Sequence, residues 1–113
     1  MPAARFLVIW ETPKDPEAFE RHYRTIHIPL SHKLPGLRRY TISRNQTAIR
    51  GEAPYLVGEL EWDDMAALRA AFASPEGRAT AADVNELSAN AAVRSLIFEV
   101  AESTELEEIA SGG

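Results

Sequence analysis

The residue types best suited to catalysis are concentrated on one predicted helix, which carries His22, His27 and His32. Histidine is the usual general acid or base because its ordinary pKa lies close to neutral pH. On a helical wheel His27 lies about 60° from the centre of the apolar stripe, so its ring can reach a cavity between this helix and a sheet. The structural alternative is that His27 bonds to a carbonyl freed beside Pro29. Both interpretations stay open.

The three histidines are poorly spaced for a shared metal ion. On an unbroken helix, His27 and His32 lie about 140° and about 280° around the axis from His22. They do not converge on one ion, so we predict no metal site. His32 points away from the apolar stripe and is expected to face solvent. The chain has no cysteine, which excludes disulfides, thiolate zinc sites, iron–sulfur clusters and cysteine nucleophiles.

Tyr23 is a second candidate on the same helix. It lies one helical turn before His27 and can bond to that ring or to a ligand. The alternative is a core tyrosine with its hydroxyl at the rim of the core.

Aromatic and charged residues on the predicted strands are candidates for lining a pocket. The aromatic candidates are Trp10, Tyr40, Trp62 and Phe98, which serve equally well as core. The charged residues are Arg39, Glu59, Glu61 and Glu99. Each of these can steer a substrate if it points inward, or pair with a charge on a neighbouring strand.

The hydrophobic pattern predicts a β-α-β-β-α-(α)-β order, which is the ferredoxin-like, α+β arrangement with a four-stranded antiparallel sheet. Strands are predicted at residues 5–11, 37–44, 55–62 and 93–101, with the middle two forming a hairpin. Helices are predicted at 16–34 (interrupted just before Pro29), from Asp63 through Phe72, and from Ser74 to about Ser88. We expect one domain over residues 1–102 and a flexible acidic tail over 103–113.

The first and last strands are apolar on both faces. Phe6, Val8 and Trp10 alternate with Leu7 and Ile9. The ferredoxin-like arrangement has helices on one face of the sheet only, so one apolar face stays uncovered in a monomer. We therefore predict a homodimer that joins two such faces.

Composition bounds the remaining classes of function. The 113 residues carry a formal net charge of −5, to which the final stretch contributes Glu102, Glu105, Glu107 and Glu108. The absence of a basic excess argues against nucleic acid and against anionic membranes as partners. The longest apolar run, Phe6–Trp10, is too short to span a bilayer, and we predict a cytoplasmic protein. No glycine-rich nucleotide-binding motif is present.

The helix with the histidines resembles the EthD family of dimeric α+β barrel proteins. The family pattern is matched by Phe19, Tyr23, His27 and Pro29-Leu30, and it continues through the segment Leu34 to Tyr40. A second block, Ala73 to Arg78 followed by Asp83, also resembles the family, so the similarity runs from about residue 6 to about residue 100. By this resemblance Asp83 is a candidate for orienting His27 or binding substrate; its alternative is a charge on an exposed helix.

The resemblance implies a homodimer with a cavity beside the first helix of each protomer. It implies a small catabolic enzyme, without a bound cofactor, that acts on a small apolar or aromatic intermediate by isomerisation, decarboxylation or oxidoreduction. In that reading His27 moves the proton, while Tyr23 and Asp83 position the His or the ligand. One alternative is a non-catalytic small-ligand binding or stress-response barrel. Another is a haem-binding barrel with His27 as axial ligand.

Overall fold

The computed structural model describes residues 2–104 and places four strands in one antiparallel sheet. The strands are β1 (Ala4–Trp10), β2 (Arg39–Arg44), β3 (Leu56–Trp62) and β4 (Val93–Glu99), arranged β2-β3-β1-β4. Both central pairings of β1 are antiparallel, and β2 and β3 form the predicted hairpin. The predicted ferredoxin-like, α+β arrangement is confirmed. Of the predicted tail, residues 105–113 lie outside the described part.

The first helical segment contains a wide turn that sequence reasoning placed only approximately. Helix α1 (Pro16–His22) leads into a π-helical turn (Tyr23–His27), and α2 (Ile28–His32) follows directly. The Asp15 side chain caps its start by accepting from the Ala18 amide. The segment ends at His32 rather than at residue 34.

Pro29 explains the position of the π-helical turn. A proline inside a helix has no amide hydrogen, and its ring collides with the carbonyl four residues earlier. One residue added to the preceding turn relieves that conflict. The Ile28 amide then donates to the Tyr23 carbonyl, five residues back. The interruption expected before Pro29 therefore takes the form of a wider turn rather than a break.

The second helical layer consists of α3 (Met65–Ala73) and α4 (Pro75–Ser88), which meet at Ser74. Ser74 caps α4 by accepting from the Gly77 amide. A Cβ atom added at Gly77 would stand 2.2 Å from the Ala71 carbonyl oxygen. Glycine at this position therefore lets the start of α4 lie directly on the end of α3. In residues 2–104 no helix is long and apolar enough to cross a membrane.

All the helices cover one face of the sheet, where the core lies. Its largest buried side chains include Trp10, Trp62, Tyr23 and Phe19, each with no exposed surface. The opposite face carries an apolar patch that no described element covers; we call it the open face, and its apolar residues are Leu7, Ile9, Val57, Leu96 and Phe98. Leu96 is 49% exposed. This patch is the uncovered surface that the two-sided strand pattern predicts.

Charged strand residues lie beside that patch rather than in a cavity. Arg5 pairs with Glu61 at 3.1 Å and with Glu59 at 3.6 Å across the open face. Arg39 and Glu99 are exposed. The predicted alternative of cross-strand pairing therefore describes Glu59 and Glu61.

Candidate functional site

A buried carboxylate joins α4 to the helix that carries the histidines. The Nδ1 atom of His27 lies 2.9 Å from Oδ2 of Asp83. Both residues are buried, with 5% of His27 and 7% of Asp83 exposed. Because an ionised carboxylate only accepts hydrogen bonds, the pairing places the imidazole hydrogen on Nδ1 and leaves a lone pair on Nε2.

His22 bonds to the second oxygen of the same carboxylate. Its Nε2 atom lies 2.7 Å from Oδ1 of Asp83. On an unbroken α-helix His22 and His27 would lie about 140° apart, which is why sequence reasoning ranked His22 low. The π-helical turn lowers the rotation per residue and brings residues five apart onto one side. A proline soon after a histidine pair with this spacing is the sequence signal that could have identified His22.

The ring of His27 lines a cavity of about 330 Å³ between the helices and the sheet. Most of its wall is apolar, with Phe6, Val8, Leu34, Leu60, Phe72 and Val84 among the lining residues. Since Nδ1 is held by Asp83, Nε2 is the ring nitrogen free to meet a ligand there. A site of this kind, apolar with a few polar groups, is typical of pockets for small molecules.

Burial lowers the pKa of His27 below its ordinary value of 6.5, against the opposing effect of the Asp83 hydrogen bond and charge. The neutral ring is therefore the dominant form near pH 7. A neutral imidazole with a free nitrogen at a cavity wall is suited to accept a proton.

Tyr23 packs against His27 instead of hydrogen-bonding to it. The two rings stack with centroids 5.1 Å apart. The Tyr23 hydroxyl bonds to the hydroxyl of Tyr40 on β2. Burial, helped by the adjacent Tyr40, raises the pKa of Tyr23 far above its ordinary range. Tyr23 is therefore a neutral, fully buried residue that fixes the plane of the His27 ring.

Gly58 on β3 leaves the space in which the two tyrosine hydroxyls meet. A Cβ atom there would lie 2.8 Å from Val8 Cγ1, 3.5 Å from the Tyr40 ring and 3.7 Å from the Tyr23 hydroxyl. The first distance is a collision, and the other two are ordinary contacts. The absence of a side chain at this strand position therefore keeps the Tyr23–Tyr40 contact in place.

Ser31 is a polar wall residue that sequence reasoning missed. It is 1% exposed, lines the cavity, and its Oγ atom has no hydrogen-bond partner within the described chain. It lies four residues after His27, so both side chains stand on one side of the helix. A hydroxyl one turn after the leading histidine could have been found from this spacing. Thr80 also lines the cavity, but its hydroxyl donates to the Glu76 carbonyl.

Among the four aromatic residues predicted for a pocket, only Tyr40 lines this cavity. Trp10 and Trp62 are fully buried in the core, and Trp62 Nε1 donates to the Pro35 carbonyl at 2.8 Å. Phe98 lies on the open face, on the far side of the sheet from the cavity. The strand register, which decides these faces, was not predictable from composition alone.

The remaining polar groups do not form a metal site. Within residues 2–104, no cluster of three or more His, Asp or Glu side chains is arranged to hold an ion. His32 is exposed, as expected. A separate polar cleft lies at the end of the sheet, where Glu20 accepts from Arg44 and Tyr55. None of these three residues lines the His27 cavity.

Comparison with known proteins identifies the family to which this chain is similar. The model of the EthD domain matches residues 11–90. An uncharacterised 11.0 kDa protein of the thcB-thcC intergenic region of Rhodococcus erythropolis is 35% identical over 82 residues, which covers 71% of this chain and 79% of that protein.

Two solved structures illustrate the likeness in fold. An ethyl tert-butyl ether D (EthD) family protein of Bacillus halodurans superposes with a TM-score of 0.72 at 30% identity, covering 82% of this chain and 95% of that one. SnoaB, a cofactor-independent oxygenase of Streptomyces nogalater, superposes with a TM-score of 0.67 at 23% identity, covering 95% of this chain and all of that one. The second likeness shows the fold alone.

Proposed function

Since this chain belongs to the EthD domain family, we propose that it is a small acid–base enzyme in which His27 moves a proton on a compact, largely apolar ligand. The observation that supports this most is the pairing of His27 Nδ1 with the buried Asp83 while the ring lines the cavity. Asp83 is then a positioning residue that fixes the tautomer, and His27 is the catalytic residue.

The proposed step begins with transfer of a ligand proton to Nε2 of His27. The imidazolium that forms is stabilised by the Asp83 carboxylate, which lies 2.9 Å from Nδ1. A positioned acid–base group of this type contributes about 10²–10⁴-fold to a rate. Enclosure by the apolar wall supplies orientation and excludes water. A second proton transfer, from Nε2 to another ligand atom, would complete an isomerisation.

Tyr23 and His22 hold this machinery in place from two sides. Tyr23 stacks on the His27 ring, and His22 occupies the carboxylate oxygen that His27 does not use. Two hydrogen bonds to its two oxygens keep the buried Asp83 from rotating. We therefore assign both residues to positioning rather than to contact with the ligand.

The size of the cavity limits the ligand. About 330 Å³ is near the lower end of the range of small-molecule pockets. A single aromatic or cyclic unit suits this volume better than an extended polycyclic molecule. The likeness in fold to a cofactor-independent oxygenase shows that such chemistry can be carried on this scaffold without a bound cofactor.

We also propose that two copies associate through the open face. That face combines Leu7, Leu96 and Phe98 with the Arg5–Glu61 ion pair. An apolar surface of this kind on a small domain is typical of an interface, and a two-fold axis would place the same patch on both partners. Solved relatives of this fold are described as dimeric, which supports the proposal.

The catalytic proposal is tested by combining ligand binding with turnover. Small phenols, quinones and cyclic carbonyl compounds are screened for shifts of the His27 ring signals in NMR, and compounds that bind are followed for conversion. His27→Gln should retain binding and lose conversion. His32→Gln, which changes an exposed histidine of the same helical segment, is the matched control and should keep both.

A non-catalytic binding protein is the competing reading of the same cavity. It predicts that ligands shift the His27 signals but are released unchanged by the wild-type protein. It also predicts no difference in conversion between wild type and His27→Gln. Either result with a compound shown to occupy the cavity would contradict the enzyme proposal.

A further inference from the structure

Ser31 is the polar group of the cavity for which the proposed function has no use. Its hydroxyl is buried, lines the cavity and lacks a hydrogen-bond partner within the described chain. Leaving a buried hydroxyl unpaired costs free energy, on the order of 1–3 kcal/mol. A ligand oxygen placed there would remove that cost.

The neighbouring hydroxyls do not satisfy Ser31. Tyr40 shares its hydroxyl hydrogen bond with Tyr23. Burial raises the pKa of Tyr40, and the hydroxyls of Tyr23 and Ser31 partly oppose that rise. Ser31 therefore lies near the Tyr40 oxygen, although its geometry completes no hydrogen bond. Its proton remains free to be donated into the cavity.

Ser31 and His27 form a pair with complementary roles. They are four residues apart on a helix, so their Cβ atoms are separated by about 5–6 Å. The His27 Nε2 atom accepts a proton, and the Ser31 Oγ–H group donates one hydrogen bond. A ligand that gives up a proton develops negative charge on oxygen, which is the charge that a preorganised donor stabilises.

We propose that Ser31 binds the oxygen on which negative charge develops, and that the ligand is therefore a compact phenol or enolisable carbonyl compound. This inference rests on the proposed function and names its substrate class. With a phenol, the O–H bond breaks, the proton forms an N–H bond at His27 Nε2, and the electron pair stays on the oxygen. With a carbonyl compound, a C–H bond beside the carbonyl breaks and the electron pair moves to the carbonyl oxygen. No electrons are gained or lost in either case.

The wall opposite these two residues is apolar and fits an aromatic ring. Phe6, Val8, Leu60 and Phe72 line the cavity from β1, β3 and α3. The charged group that faces His27 is Asp83, which already pairs with both histidines. The proton received by Nε2 therefore produces an ion pair with Asp83, so the new negative charge on the ligand meets a positive ring and a hydroxyl donor.

The test uses 4-nitrophenol, because its colour reports whether the bound molecule is the phenol or the phenolate. The wild-type protein should bind it saturably and raise the fraction of phenolate above that in free solution. Ser31→Ala should weaken binding of the phenolate about tenfold or more, since hydrogen bonds to charged groups are among the stronger ones. 4-Nitrotoluene, which has the same ring without the phenol oxygen, should bind Ser31→Ala as well as wild type.

Thr80→Val is the matched control. It removes another cavity hydroxyl, but one already bonded to the Glu76 carbonyl, and phenolate affinity should stay within about twofold. The proposal is overturned if Ser31→Ala leaves phenolate affinity unchanged, if it weakens both ligands equally, or if the wild type does not bind the probe. Failure of the proposed function looks different. The probe would then remain un-ionised in the wild type, while Ser31→Ala would still weaken its binding.

Discussion

The Nδ1 atom of His27 lies 2.9 Å from Oδ2 of Asp83, and the two residues come from helices 56 positions apart in the chain. The other carboxylate oxygen is occupied by His22. This arrangement decides which nitrogen of His27 is available at the cavity, and the predictions about chemistry depend on it.

Replacing Asp83 by Asn should remove most of any proton-transfer activity while leaving the fold intact. An amide can donate to Nδ1 of His27 and so favour the wrong tautomer, with the hydrogen on Nε2. The expected loss is about 10²-fold or more in kcat. Nitrogen chemical shifts of the His27 ring should report the change in tautomer directly.

His22→Gln is the control for this prediction. The variant keeps Asp83 and its bond to His27, and an amide at residue 22 can still donate to the free carboxylate oxygen. We expect the His27 tautomer to be unchanged. An equal effect of the two substitutions on the tautomer would contradict the assignment of Asp83 as the orienting group.

His27 should make the stability of the fold dependent on pH. Its pKa is lowered in the folded state, so below pH 6.5 the unfolded chain binds more protons at this position than the native chain. Stability contributed by the neutral ring is therefore present above the ordinary pKa and is lost as pH falls from that value to the lower, native one. Urea unfolding at several values from about pH 7.5 to about pH 5 should show this loss in wild type and a smaller slope in His27→Gln. Parallel slopes would contradict it.

The two tryptophans of the core should differ in the cost of substitution by phenylalanine. Both are fully buried, but Trp62 donates to the Pro35 carbonyl, whereas Trp10 Nε1 has no partner within the described chain. Trp62→Phe loses a hydrogen bond as well as volume. It should therefore be the more destabilising change by about 1 kcal/mol, measured by chemical denaturation. A larger loss for Trp10→Phe would show that packing outweighs the hydrogen bond.

A charge on the open face should separate the proposed dimer. Leu96 is 49% exposed and stands within the apolar patch. Leu96→Lys would place a charge against its own copy across a two-fold axis, so sedimentation should change from dimer to monomer. Ile49→Lys, at a loop residue 92% exposed, is the control and should sediment as wild type. A monomeric wild-type protein would contradict the proposal.

The order of elements follows from the sequence because the patterning is strong and local. Strands of alternating apolar residues and helix starts at Asp15-Pro16 and Ser74-Pro75 are signals that tertiary contacts did not override. The apolar open face could also be predicted, since β1 is apolar at both odd and even positions. The faces of Trp62 and Phe98 could not, because they depend on strand register.

The site was predictable only in part. His27 stood out by residue type and position, and Asp83 by family resemblance, but their contact joins distant parts of the chain. His22 was missed because the wheel assumed a regular α-helix, and the wide turn at Tyr23–His27 changes the angle. Ser31 was missed because an ordinary helical serine gains its significance only from burial and the lack of a partner.

The most direct test of the central claim is a nitrogen-15 NMR measurement of the His27 ring, with and without a ligand that fills the cavity. The account predicts a neutral ring near pH 7 with the hydrogen on Nδ1. It also predicts that a proton-donating ligand such as a phenol converts this ring to the imidazolium. A ring with the hydrogen on Nε2, or a ring whose Nε2 signal does not change when the cavity is occupied, would contradict a role for His27 as the proton acceptor.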